Sequence, residues 1–294
     1  MLKKFKLFKK KIKDLRKHKK NRKISIDFKK KLYFIDKVIE NNKVLNFLHS
    51  GHMGDLIYAL PVIKKLSENH TCNLFIGINK IFTNEKYKNH TSAGVLINDR
   101  IFNYALPLIG KQKYLNKVQK YIDQKIDINL DLFRDMPGKP SNSSKWYFHI
   151  TGVHADLHKP FLDTQEHDKI KNKIVISRSL RNKNSFIDYS FLNDFCDQLI
   201  FIGLKDEYLD LKKVIPELKH YDPLDFFEMS QIIKSSKFFL GNQSSPFAIA
   251  EGLKVPRLLE NTYDVHDVEP TGGNCYDFFY QTHFEKFFYK LLNR

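Results

Sequence analysis

Asp55 is a carboxylate set where a strand, a glycine-rich turn and a helix meet. It closes the run Ser50-Gly51-His52-Met53-Gly54-Asp55. That run lies between the apolar stretch Val44-Leu45-Asn46-Phe47-Leu48 and an amphipathic stretch from Leu56 to Leu66. Strand, glycine-rich turn and helix in that order carry backbone N–H groups and a helix N-terminus to the edge of a parallel sheet. The same turn places one carboxylate, Asp55, at the mouth of that edge. The N–H groups at Met53 and Gly54 suit an anionic ligand, and Met53 and Gly54 are candidate donor contacts. His52 could bind a phosphate, tune Asp55, or face water.

Three further constellations could handle phosphate and ribose. Ser177-Arg178-Ser179-Leu180-Arg181-Asn182-Lys183-Asn184 follows an apolar strand-like run, Lys173-Ile-Val-Ile-Ser177. Its hydroxyls and cations suit a diphosphate, with Arg178, Ser179, Arg181 and Lys183 as the binding candidates. Taken alone, such a run is also an ordinary solvated loop; its position at the carboxyl end of a strand favours the ligand reading. Leu240-Gly241-Asn242-Gln243-Ser244-Ser245-Pro246 leads from a strand into a helix. Ser244 or Ser245 can cap that helix and Pro246 fits its first turn. Asn242, Gln243, Ser244, Ser245 and Pro246 therefore join the donor-binding candidates, against the plainer reading of a βαβ turn. Glu207, four residues after Gly203, could accept from a ribose or simply favour its own helix N-terminus.

The stretch from Ser50 to Pro61 resembles the opening of the family 9 glycosyltransferases, the heptosyltransferase group. In that family a Gly-Asp pair ends the first loop and the Asp is the catalytic base. The resemblance implies that role for Asp55, and donor-phosphate contacts for the loop after Ser177. It extends to Leu240–Pro256, similar to the family's Gly-x-Asp-Ser-Gly-Pro signature with a following His. Here Gln243 stands in place of the Asp, Ser245 in place of the Gly and Ala248 in place of the His, which puts a heptose donor in doubt. The resemblance implies a GT-B fold, two Rossmann-like α/β domains facing a central cleft. It also implies inverting, metal-independent transfer from a nucleotide-diphosphate sugar to a glycan or lipid-linked hydroxyl, with no cofactor. Two other readings stay open: another nucleotide-sugar enzyme such as an epimerase, and a non-catalytic protein holding a glycan or nucleotide.

The elements that must position these residues form two α/β series. The first runs through a helix at 32–39, a strand at 44–48, a helix at 55–68, a strand at 72–78, a helix at 111–122 and a strand at 126–133, with loops at 80–93 and 136–144. The second begins near residue 172, with strands at 173–177, 199–203, 238–241 and 255–259 and helices at 189–198, 207–214, 225–235, 245–253 and 278–292. The expected division is a basic arm over 1–31, an acceptor-side domain over 32–165 and a nucleotide-sugar domain over 166–294.

Charge separates the arm from the rest. Residues 1–31 hold 16 Lys or Arg against Asp14 and Asp27, so they carry +14 of the net +17. Phe5, Phe8, Ile12 and Leu15 recur at helical spacing among the lysines. Such a segment could lie on an anionic membrane surface, bind nucleic acid less readily, or serve as a solubilising tail. No apolar run approaches the ~20 residues of a membrane span. Cys72, Cys196 and Cys275 are scattered, which fits a cytoplasmic protein, possible attachment to the inner membrane face aside. His154 and His158 are four apart, but no third ligand stands at a zinc spacing and no metal is expected.

Overall fold

The computed structural model describes residues 13–14, 25–82, 94–136 and 138–294. The pattern at Phe5, Phe8, Ile12 and Leu15, and most of the loop expected over 80–93, lie outside the described residues.

Helix α1 covers residues 25–41. Phe28 and Ile35 are buried in the core, with Leu32, Val38 and Ile39 packed beside them. That spacing of three and four residues is one helix stripe. The arm expected over 1–31 therefore gives way to folded helix by residue 25, because Phe28 belongs to the core.

Strands β1 (Val44–His49), β2 (Thr71–Ile76), β3 (Lys117–Lys120) and β4 (Ile128–Asn129) form a parallel sheet of order β3-β2-β1-β4. Helix α2 (Met53–Leu66) joins β1 to β2, and α3 (Asp99–Ile109) joins β2 to β3. A 3-10 turn over Leu130–Asp135 follows β4, and α4 (Ser143–Thr151) closes the unit. Gly152 ends α4 at φ 68° and returns its N–H to the Phe148 carbonyl at 2.8 Å, a left-handed stop for which glycine carries no penalty.

The first unit departs from expectation in four places. From sequence no element is expected over 94–110, yet α3 lies there with Pro107 inside it, started by the Asn98 side chain accepting from Ile101 N at 2.9 Å. The helix expected over 111–122 is instead a turn and β3, in which half-buried Val118 pairs in register with Leu74. The strand expected over 126–133 shortens to β4, because Asn129 accepts from Asp131 N and turns the chain. Part of the loop expected over 136–144 is the capped start of α4, where Asn142 accepts from Ser144 N.

Residues 152–173 contain no regular element. His154 and His158 lie in this stretch and share no helix face. Beyond it, β5 (Ile174–Ser177), β6 (Leu199–Ile202), β7 (His220–Tyr221), β8 (Phe238–Asn242), β9 (Arg257–Glu260) and β10 (Cys275–Phe278) form a second parallel sheet of order β10-β9-β8-β5-β6-β7. Counted within the unit this is the order 3-2-1-4-5-6 of a dinucleotide fold. Its helices are α5 (Lys205–Lys212), α6 (Phe226–Lys234), α7 (Ser245–Leu253) and α8 (Gln281–Leu292), while residues 190–198 form a 3-10 helix rather than the expected α-helix. β10 replaces the start of the helix expected from 278.

One apolar core runs from the first sheet into one face of the second, through residues such as Ile57, Ile63, Phe247 and Ile249. A second cluster, including Phe201, Phe284 and Phe288, fills the far face of the second sheet. Helix α2 packs on α7, and α3 packs on α6. The Tyr104 hydroxyl on α3 donates to the Pro223 carbonyl at 2.7 Å just before α6.

Candidate active site

In each sheet the first strand in the chain lies between neighbours reached in opposite directions, β1 between β2 and β4, and β5 between β6 and β8. Ligands of open α/β sheets bind at the carboxyl ends of such strands. The loop after β1 and the turn after β4 bring Asp55 and Arg134 together. The loops after β5 and β8 bring the basic run and the start of α7 together.

Asp55 sits in the first turn of α2, with 22% of its side chain exposed. Burial pushes its carboxyl up to about 6, opposed by the charges of Arg134, Lys139 and Arg181 and aided by Asp267. Arg134 Nη2 is 3.7 Å from Asp55 Oδ2. Asp131 anchors that arginine, accepting from Nη1 at 2.9 Å. The guanidinium lies over Phe133 at 4.1 Å and Phe82 at 4.7 Å. Arg134 Nε and Nη2 are buried with no hydrogen-bond partner among the described residues. Such orphan donors cost free energy unless something completes them. Gly51 makes room for the arrangement, since a Cβ there would lie 2.3 Å from Arg134 Nη2.

A buried relay fixes the loop that carries Asp55. His49 Nδ1 accepts from Gly51 N at 3.1 Å, which leaves the ring proton on Nε2, 3.0 Å from the Tyr147 hydroxyl. Tyr147 donates in turn to the Asp55 carbonyl at 2.9 Å. Burial, with Arg134 and Lys80 adding to it against Asp131, lowers the His49 pKa to about 3 and keeps the ring neutral. Asp131 Oδ1 also accepts from Ser50 N at 3.0 Å, and Oδ2 from Lys80 at 3.2 Å. The glycine loop is thus held at both ends by side chains from β1, α4 and the turn after β4.

Around Gly54 the space is open: a Cβ would meet nothing within 4 Å among the described residues. Met53 is buried in the core, so its backbone N–H is the group it can offer a ligand, as expected of a residue in this turn. His52 stands at the N-cap and is half-buried.

Arg178 does not keep its fork free for a ligand. Its Nε and Nη2 bind the buried Glu260 carboxylate at 2.6 and 2.9 Å, and its guanidinium covers Tyr189 at 4.2 Å. Glu260 also accepts from Tyr189 at 2.6 Å and from Asn184 N. The expected phosphate ligand is instead the anchor of the loop, because Glu260 at the end of β9 needs a cation. Asn242 is a second anchor: fully buried, it accepts from Ser179 N at 2.9 Å and donates to Ser179 O at 2.7 Å. Lys183 is committed to Asp210 at 2.6 Å.

Three groups of this edge are not taken up by those anchors. Ser179 Oγ is buried with no hydrogen-bond partner among the described residues. Arg181 is exposed, and its charge acts on both Asp55 in the first unit and Glu207 in the second. Half-buried Gln243, Ser244, Ser245 and Pro246 form the approach to α7. Ser244 Oγ donates to the Asn242 carbonyl at 3.0 Å rather than capping the helix, so the α7 N-terminus keeps its first N–H groups for another acceptor. Glu207 accepts from Leu204 N at 3.3 Å, and burial raises its pKa.

The segment after β9 reaches across to the first unit. Ser143 donates to the Asp267 carbonyl at 2.5 Å, and Asn142 to the Glu269 carbonyl at 3.3 Å. Charges of both units act on Asp55, Arg134 and Lys139 from the first and Arg181 and Asp267 from the second.

The architecture has solved counterparts. A glycosyl transferase family 9 protein from Veillonella parvula superposes with a TM-score of 0.56 at 9% identity, over 86% of this chain and 89% of that one. The chain has the fold of the family 9 glycosyltransferases. The E. coli ADP-heptose lps heptosyltransferase II gives 0.54 at 9% identity over 85% and 98% of the two chains. E. coli heptosyltransferase WaaC with ADP-2-deoxy-2-fluoro heptose gives 0.50 at 8% over 84% and 99%. No protein-family model matches the sequence, and no curated protein matches it significantly. The two-unit GT-B architecture expected from sequence is present.

Arg134, Asp131, His49, Tyr147, Lys139 and Asp267 were not singled out from sequence. Asp131 and Arg134 carried a signal: a charged pair three apart at the end of an apolar strand run. His49 and Tyr147 carried none, since a buried histidine and tyrosine look like core until their partners are known.

Proposed function

We propose that the protein is an inverting, metal-independent glycosyltransferase that moves a sugar from a nucleotide-diphosphate sugar to a hydroxyl of a glycan or lipid-linked acceptor. One observation carries the reading: Asp55 stands at the sheet edge of the first unit, 3.7 Å from Arg134 Nη2, where burial pushes its carboxyl up to about 6 while the charge of Arg181 in the second unit acts on it. A general base works best with a pKa near the working pH. In this reading the donor diphosphate lies against Ser179 Oγ, Arg181 and the first N–H groups of α7, with the nucleoside toward Glu207. The acceptor hydroxyl gives its proton to Asp55 as its oxygen attacks the anomeric carbon. The bond from that carbon to the diphosphate breaks on the opposite face, and its electron pair leaves with the nucleoside diphosphate. Arg181 and the α7 dipole stabilise the charge growing there, the work a divalent cation does elsewhere. Asp55 then releases its proton to water.

The membrane reading of the basic N-terminal run belongs to the same proposal, since a lipid-linked acceptor would be met at a bilayer surface. Among the described residues no helix is long and apolar enough to cross a membrane.

A thermal-shift screen against ADP-, GDP-, UDP-, dTDP- and CMP-sugars tests the core of it. One nucleotide sugar at ~100 times its Kd raises stability by about 2.7 kcal/mol, and transfer from that donor continues in EDTA. No shift with any nucleotide sugar, or transfer that stops in EDTA and returns with Mg²⁺, overturns the reading.

A further inference from the structure

Helix α1 is two-sided. Phe28 and Ile35 are buried with Leu32, Val38 and Ile39. The opposite face displays Ile26, Lys29, Lys30, Tyr33 and Lys37, with Phe34 on its flank. Ile26 is 51% exposed, Tyr33 65% and Phe34 61%. Large apolar side chains left in water beside lysines, on the outside of a helix whose inner face is already satisfied, mark an interaction surface. Lys37 pairs with Glu40 at 2.6 Å; Lys29 and Lys30 are exposed.

The placement of α1 gives that surface meaning. Asn42, just past its last turn, donates to Asp127 at 3.3 Å, immediately before β4. Lys31, in its first half, pairs with Asp135 at 3.3 Å, and Asp135 adjoins Arg134 of the candidate site. The helix therefore runs antiparallel to the strands, and its early turns lie at the catalytic edge of the first sheet. The chain before it, residues 1–24, holds 13 Lys or Arg and one acid, Asp14.

We propose that the outer face of α1, through Ile26, Lys29, Lys30, Tyr33 and Phe34, is a docking surface for an anionic lipid bilayer and sets the mouth of the Asp55 site against the membrane. It rests on the sugar-transfer reading for its purpose, though not for the contact itself. Lysines at a surface meet the headgroup charge, while an isoleucine and two aromatic rings enter the headgroup boundary shallowly. Charge complementarity with the preceding cationic run selects an anionic surface over a second copy of this basic chain.

The test uses the full chain and vesicles of phosphatidylglycerol with phosphatidylcholine, against phosphatidylcholine alone, by co-sedimentation at low salt. The wild type binds the anionic vesicles, and binding weakens with salt as charges are screened over ~10 Å. Lys29→Glu with Lys30→Glu weakens it by about tenfold or more, given what each surface lysine contributes. Tyr33→Ser with Phe34→Ser removes the part that survives high salt. Both variants keep the preceding cationic run, and unchanged circular dichroism and melting temperature establish that α1 is folded. The proposal fails if both variants bind as tightly as the wild type. It fails equally if the wild type ignores anionic vesicles, binds only RNA, or self-associates through Tyr33 and Phe34. Vesicle binding needs no donor and the nucleotide-sugar screen needs no vesicle, so failure of one reading is distinguishable from failure of the other.

Discussion

At the edge of the first sheet the charges are assembled on one another; at the edge of the second they are spent on the scaffold. Asp55, Arg134 and Asp131 form a half-buried chain of opposite signs, wired to a neutral His49–Tyr147 pair. The second edge looked richer from its sequence, with three cations in eight residues, but Arg178 is consumed by Glu260 and Lys183 by Asp210. What remains among the described residues is one arginine, a hydroxyl with no hydrogen-bond partner there and a helix end. The difference matches two tasks. A proton acceptor needs a tuned pKa and a fixed direction, which take burial and partners. A leaving-group site needs donors still free when the ligand arrives.

The sharpest test of the contrast is Asp55→Asn. Loss of a general base lowers transfer by about 10²–10⁴-fold, while donor affinity stays near wild type by calorimetry. The wild-type rate falls as pH drops through about 6, where the carboxyl takes up its proton. The sign for stability is opposite. A carboxyl whose folded-state pKa is raised destabilises the fold as pH rises from the unfolded value of 3.8 toward 6. The Asn variant therefore melts higher than wild type at pH 8 and no higher at pH 4. Turnover near the wild-type rate would end the base assignment.

Next in size is the pair Arg178→Ala and Arg181→Ala. Breaking the buried Arg178–Glu260 pair leaves an uncompensated carboxylate and costs about 3–5 kcal/mol, seen as a large drop in denaturant midpoint. Arg181→Ala leaves the midpoint alone and weakens nucleoside diphosphate binding more than nucleoside binding. If the two variants behave alike in both measurements, the division between anchor and ligand contact is wrong.

The smallest effect separates the two glycines of the first loop. In Gly54→Ala the new Cβ has no contact within 4 Å from other parts of the described residues and the helix gains propensity, so stability rises by about 0.5–1 kcal/mol, while donor or acceptor affinity falls if a ligand occupies that space. Gly51→Ala displaces Arg134, lowers stability and moves the acid limb of the rate profile upward, because the cation that lowers the Asp55 pKa has shifted. Unchanged ligand affinity in Gly54→Ala would show that the open space is not a binding space.

Legibility followed the range of the interactions. The strand, glycine turn and helix around Asp55 are written in adjacent residues, through hydrophobic periodicity and turn chemistry, and so are the start of α7 and most of the second sheet. α3 and β3 were misread because Pro107 interrupts one pattern and a four-residue edge strand is too short to show another. Side-chain duties were least legible. Arg178 and Arg181 differ by three positions, and nothing local says which will meet a carboxylate 82 residues away and which will stay exposed.

The sequence by itself determined the two α/β series, the glycine and proline turn signals at their strand ends and the place of the candidate base, because each depends on neighbours within a turn or a strand. Tertiary structure alone decided which charges stay available. Ion pairs such as Arg178–Glu260 and Arg134–Asp55, and the burial that lifts Asp55, arise only when strands distant in the chain lie side by side and exclude water. Desolvation and pairing, unlike periodicity, belong to the assembled site.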